Sequence, residues 1–456
     1  MIAIGIVLAT LIALLVFASP RAGFLLFWFV TWLYPTGLLH GILPLNIRLD
    51  DLFIIWLTVA CIRIMPPDVV TSRSFRIASL WFLSIVLGNM VGYLTAPPYV
   101  FQAVVRSVGK AAYVPMLVLV VNTLIRTDRD ARRMLRAMLW AGSGAILIGL
   151  IQVYAPYVVV WWEVRAVVIG KLSVSEAALQ GGDEESRRAM GSLGGLLAIV
   201  GLSFALIGMR QAIHQTSNMA KLAYSVVGLW GVVGLGYTIT RGAIAGFAAA
   251  MMFGLAFLGR RPATLAVILL GGVVITTQTD LAQRTLSRIT GSRLTGRGNV
   301  LDGAAVRSRL WILYLEEWSP HYFLFGRGFI PEMVRHNGAA VHSSYVVALA
   351  YTGMFGVIIF AALIMVIINI TWKLMQLEYD PFFIAVNEAV ILLTIALLVN
   401  GISAELWQSP RTILFPLLAM LDTRHRLLEA TATGIMAPIQ QAPIMPPRGY
   451  QVSRWQ

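Results

Sequence analysis

Between Arg307 and Gly356 the chain reads Arg307-Ser308-Arg309-Leu310-Trp311, then Ser319-Pro320, Gly326-Arg327-Gly328, His336-Asn337 and His342-Ser343-Ser344-Tyr345, the last opening an apolar run. This stretch holds three of the six histidines and four arginines. An imidazole titrating near about 6.5 accepts a proton at neutral pH, and a guanidinium offers phosphate oxygens a planar fork of donors. Together they suit a general base working beside an anionic leaving group. In a chain otherwise so apolar, charged groups gathered beside a membrane face mark a functional candidate.

His342 immediately precedes the apolar run that begins at Tyr345, which makes it the candidate base; the bland reading is a neighbour of a helix N-cap. Residues 304–318 read as an amphipathic helix stopped by Ser319-Pro320. On it Arg307 and Trp311 share a face, while Arg309 lies about 200° round, so one of the two arginines faces a ligand. Trp311 suits shielding the guanidinium or stacking on a sugar ring. Arg241 opens a span after Thr240, with Gly242 and Gly246 allowing close helix approach, and would serve either as a boundary anchor or as a phosphate ligand. Arg188, Arg411 and Glu405 sit at similar edges. A further arginine there could share a diphosphate, and Glu405 could orient a histidine or pair with Arg411. His336 and His321 read as loop residues, with His336 a secondary candidate for orienting an acceptor; His40 and His214 lie at span ends, where snorkelling accounts for them.

These residues need elements to hold them. At 58% hydrophobic, 12% charged and a mean hydropathy of +0.78, the chain is a polytopic membrane protein and not a soluble globule. Apolar runs at 2–18, 24–39, 52–64, 77–94, 107–125, 134–154, 192–209, 222–239, 243–258, 263–277, 345–370, 384–402 and 413–421 predict an all-α bundle of about 12 to 14 transmembrane helices. The basic connections at 63–76, 126–136, 210–221, 259–262, 373–380 and 424–426 alternate with the others, so they belong to the cytoplasm. The candidate site then falls outside, with long outer loops at 155–191 and 278–344 and the N-terminus outside. Counting the first two runs as one broken element would put both ends inside. The chain divides into N-terminal helices (1–190), a catalytic membrane region (191–422) and a Pro-, Ala- and Gln-rich tail (423–456) expected to be disordered.

The +14 charge comes from 35 Lys and Arg, of which only Lys110, Lys171, Lys221 and Lys373 are lysine. Arginine favours phosphate oxygens, though coding bias favours it too. The basic residues lie between spans and not on one soluble face, so nucleic acid is not an expected partner. Cys61 stands alone, which leaves neither a disulfide nor a thiolate metal site. Asp50-Asp51 and Asp183-Glu184-Glu185 lack histidines at ligand spacing, so no metal is expected. No Gly-x-x-x-x-Gly-Lys motif is present, which disfavours an ATP-driven pump.

The arrangement of a basic residue four before Trp311, then Pro320, Gly326-x-Gly328, His342-Ser343 and a span with Gly353 and Gly356 resembles the bacterial O-antigen ligase/polymerase family of membrane glycosyltransferases. Thr240-Arg241-Gly242 resembles that family's Ser-Arg-Gly corner. The likeness covers about 188–411, and His342-Ser343 stands where many relatives carry His-Asn. It implies a GT-C-like fold with short helices in the large periplasmic loop. The implied enzyme is an inverting, metal-independent glycosyltransferase without a cofactor, in the bacterial inner membrane. Arg241 and Arg307 would hold the diphosphate of an undecaprenyl-diphosphate-linked glycan on the periplasmic side, while His342 deprotonates the acceptor hydroxyl.

Within that resemblance an O-antigen or exopolysaccharide polymerase leads, since nothing specifies a lipid A core; the alternative is a ligase delivering the glycan to lipid A core in lipopolysaccharide assembly. Expected partners are membrane lipid, the carrier-linked glycan and possible chain-length regulators or other polysaccharide-assembly proteins. From another class, a transporter or flippase for lipid-linked glycan predicts polar or charged residues near mid-span and discontinuous helices, whereas the charges sit at the outer edge and the mid-spans read as nearly clean apart from Lys110 and a few Gly and Asn.

Overall fold

The computed structural model describes residues 2–33, 49–95, 101–154, 197–238, 240–257, 309, 311–312, 322–328, 335–336, 339–340, 343–402 and 412–432. Thirteen helices are described: α1 Ile2–Ala18, α2 Pro20–Leu33, α3 Leu49–Ile62, α4 Asp68–Thr71, α5 Arg73–Thr95, α6 Phe101–Leu124, α7 Asp128–Tyr154, α8 Leu197–His214, α9 Asn218–Thr238, α10 Arg241–Phe257, α11 Ser344–Leu377, α12 Pro381–Gly401 and α13 Leu414–Ala432. A two-residue antiparallel pairing joins β1 (Arg335–His336) to β2 (Ala339–Ala340). Among the described residues seven helices are long and apolar enough to cross a membrane, and α2, α3 and α10 are shorter apolar helices. The run expected at 263–277 lies outside the described residues, as do most of the two long loops and the tail.

Helix starts follow local chemistry. The Asp380 carboxylate accepts the Phe382 N–H at 2.8 Å ahead of Pro381, so a capped end and a pre-set φ open α12. Thr127 and Asp130 cap α7 reciprocally: the Asp130 N–H reaches Thr127 Oγ1 at 3.2 Å, and that hydroxyl donates back to Asp130 Oδ2 at 2.8 Å. The start of α5 is held from a distant helix, where the buried carboxylate of Asp422 on α13 accepts the Ser74 N–H and hydroxyl at 2.9 and 2.7 Å.

The centre of the bundle is α8, every residue of which from Leu197 to Ile213 is buried. It lies against α9 along a glycine seam. A Cβ at Gly208 would fall 2.3 Å from the Gly228 nitrogen, and one at Gly231 2.2 Å from the Ala205 nitrogen. Backbones this close gain dispersion contact that lipid cannot replace. The close approach expected at Gly246 is present: a Cβ there would sit 2.3 Å from the Ala396 carbonyl oxygen on α12.

The described basic connections gather at one end. Arg424 on α13 bonds Glu378 through Nε and Nη2 (2.6 and 3.0 Å) and Asp128 through Nη1 (2.8 Å). Arg132 on α7 grips Asp380 through one nitrogen at 2.9 and 2.6 Å, and Arg426 pairs with Asp68. Arg132 and Arg424 also lie 4.4 Å over the rings of Phe382 and Phe383. The multi-pass helical architecture matches the sequence reading in its coarse form.

Candidate functional site

At the opposite end from these basic connections, three helix ends come level. The hydroxyl of Tyr345 on α11 donates to the Leu398 carbonyl on α12 at 2.6 Å, and a Cβ on Gly401 would lie 3.4 Å from that of Ser344. Gly246–Ala396 and Gly254–Leu392 set α10 antiparallel to α12, which brings the helix that begins at Arg241 to this same end. Ser343 is extended and buried, and is followed by buried Ser344, so two small polar residues line the entrance to α11 directly after His342 in sequence.

Beneath this end lies a small, almost wholly apolar pocket, part of it open. It is bounded by Trp81 of α5, Ser344 and Tyr345 of α11, Leu398 and Gly401 of α12 and Phe415 of α13. Such a space solvates hydrocarbon and leaves its polar rim to Ser344 and Thr394.

Trp311 is in helical conformation and half-buried against the core; its indole N–H is buried without an acceptor among the described residues. A buried donor without a protein acceptor is costly and consistent with a ligand supplying one. Arg309, two residues earlier, is exposed, as its opposite helical phase requires. His336 lies in β1 opposite Ala339. His342, Arg307, Arg188, Arg411 and Glu405 lie outside the described residues, as does most of the 304–318 helix. Among the described residues no three potential metal ligands come together.

The short Gly326-Arg327-Gly328 motif closes a gap in α11. That helix is broken at Gly353 (φ 62°, ψ −165°), a left-handed position only glycine adopts readily. The 322–328 segment fills the break: the Arg327 and Gly328 N–H groups donate to the Ala350 and Tyr351 carbonyls at 2.9 and 3.0 Å, and the Met354 and Phe355 N–H groups donate to the Phe323 and Leu324 carbonyls. Gly326 and Gly328 also have positive φ. On its other side the segment abuts α5, with Gly328 against Asn89 and a Cβ on Gly88 only 2.8 Å from the Phe325 carbonyl. Irregular backbone here is tolerated because these four freed groups are met by protein.

Three expectations are corrected. His214 is not a snorkelling end residue: its Nε2 lies 2.8 Å from Glu388 Oε2. The mid-spans, expected to be nearly clean, hold a carboxylate as well: Glu388 lies seven residues, about 10 Å of rise, inside α12. Arg210, placed by its sequence in a basic connection, is instead a fully buried residue of α8 whose Nη1 lies 3.3 Å from Glu388 Oε2. Among the described residues its guanidinium nitrogens make no other ion pair and no hydrogen bond. Gln211 Nε2 donates to the Phe382 carbonyl at 3.0 Å and pins the same two helices. Glycine at 254 leaves room for the guanidinium, since a Cβ there would be 2.7 Å from Nη2. Set against models of protein families and against curated proteins, the chain matches none.

Proposed function

We propose that this chain is a membrane glycosyltransferase that polymerises undecaprenyl-diphosphate-linked oligosaccharide repeats. The reading is carried by one placement: the helices that begin at Arg241 and, two residues past His342, at Ser344 share an end of the bundle above an apolar cavity. A polyprenyl-diphosphate donor has these two needs, hydrocarbon contact for the tail and cations at headgroup depth for the leaving group. In the reaction the acceptor hydroxyl oxygen attacks the anomeric carbon and its proton passes to the His342 imidazole. The bond from that carbon to the diphosphate oxygen breaks, and its electron pair leaves with the diphosphate beside Arg241 and Arg307. Trp311, with its N–H lacking an acceptor among the described residues, is the residue suited to hold a sugar hydroxyl.

The test is incubation of the purified chain with a lipid-diphosphate glycan, scoring free carrier diphosphate and product length. Release of carrier with a ladder of lengthening products supports polymerisation; no release removes the reading. A transport reading is favoured by the break at Gly353 and by Glu388 within α12. It predicts glycan crossing a vesicle membrane with the diphosphate bond intact.

A further inference from the structure

We propose that the outward face of α7 binds the headgroup of an anionic phospholipid through Arg129, Arg133 and Arg136, with Trp140 lying along its chains. The argument is independent of the catalytic reading. At 100° per residue these four positions fall within an arc of about 60°, on one stripe of the helix. All four are exposed, Trp140 by 72%, and the same face continues through exposed Leu147. It is therefore the face α7 turns away from the bundle. From Arg129 to Arg136 the rise is about 10 Å, so the charges descend from the helix start towards the hydrocarbon.

Arginines at the edge of a span often do no more than fix orientation, and Arg129 at the helix start would suffice for that. Arg136 is different. It stands eight residues into α7, inside the apolar stretch, and one turn before a tryptophan exposed on the same face. A guanidinium in that position must find a phosphate or bend back to water.

Among the described residues no carboxylate is available to the stripe. Arg132, on the adjoining flank, is met by Asp380. Of the two acids in the first turn, Asp128 is held by Arg424 and Asp130 by Thr127. Among the described residues Arg129, Arg133 and Arg136 have no carboxylate within ion-pair distance. Like charges three and four residues apart repel, which an intervening anion reverses. Tyr224 of the neighbouring α9 lies within electrostatic reach of Arg136 and Arg132, and its hydroxyl offers a neutral donor beside the stripe. Basic clusters at the cytoplasmic edge of a spanning helix are suited to acidic lipid headgroups, and Trp at the interface completes the contact.

The test is native mass spectrometry of the full chain in detergent, titrated with phosphatidylglycerol or phosphatidylethanolamine. The wild type is expected to retain phosphatidylglycerol preferentially, and Arg129→Gln/Arg133→Gln/Arg136→Gln to lose that preference. Arg136→Gln alone should weaken binding about fivefold, the effect of one basic side chain near an anionic lipid surface, and decides the matter should the triple variant not fold. Trp140→Ala should shorten retention of the lipid while keeping the headgroup preference. Excess inorganic phosphate should fail to displace the lipid. The proposal is overturned by equal retention of both lipids, by displacement with phosphate alone, or by an equal loss in the control Arg63→Gln/Arg76→Gln, which would assign the preference to net charge.

Discussion

Arg210 of α8 and Glu388 of α12 meet inside the bundle, Nη1 to Oε2 3.3 Å apart, with His214 on the same carboxylate oxygen at 2.8 Å. One carboxylate thus answers a fully buried guanidinium. Removing one partner of such a pair leaves the other charged and desolvated, at a cost of about 3 to 5 kcal/mol. Glu388→Ala is expected to lower the melting temperature in detergent sharply, whereas Arg210→Met/Glu388→Leu should recover most of it. A single variant melting like the wild type would show that the pair does not hold α8 to α12.

Gly353→Ala tests the break in α11. Left-handed backbone costs a non-glycine residue about 1 to 3 kcal/mol, and the new Cβ would also lie 2.4 Å from the Leu324 carbonyl carbon. The segment 322–328 should be displaced and become cleavable by protease, with a lower melting temperature. Unchanged cleavage would mean that the segment is held by α5 alone.

His425 gives a pH dependence. Burial lowers its pKa from 6.5, with Arg73 and Lys373 acting in the same sense and Glu429 and Asp422 against it. Because the folded value lies below the unfolded one, the unfolded chain takes the proton first as pH falls. The contribution of neutral His425 is therefore complete above about 6.5 and is lost progressively as pH falls below that towards the folded value. Melting temperatures from pH 8 down to 5 should drop below 6.5, and His425→Leu should flatten the drop.

For transfer itself, His342→Ala is expected to reduce the rate by about 10² to 10⁴, the range for loss of a general base. Arg241→Ala should abolish detectable assembly, with Arg241→Lys partly active because an ammonium keeps the charge and loses the fork. Thr394→Trp, which fills the cavity, should raise KM for a long-tailed donor more than for a short-tailed one. Quantified turnover with protein levels matched in the membrane separates these outcomes from loss of folding.

The helices and the shared end of the basic connections were legible because hydropathy and loop charge follow directly from the bilayer. The close approach at Gly246 was legible for a local reason, its small residue at a helix face. Arg210 and His214 were misplaced because a basic residue after an apolar run reads as the run's end. The carboxylate of Glu388, on a helix far along the chain, lets them continue as buried helix. The Gly326-Arg327-Gly328 motif was visible but its role was not, since its partner is a helix break whose hydrogen bonds no spacing rule announces. Of the candidate site, the positions of Arg241 and Ser344 follow from helix starts, while Trp311 drew notice for its ring and not for its indole N–H.

The glycine seam between α8 and α9 ties the fates of two helices. With main chain resting on main chain at Gly208 and Gly231, neither surface has slack to absorb even a methyl group. The pair must turn, tilt and evolve as a single stave, so any gating that the protein performs has to be accommodated by its neighbours.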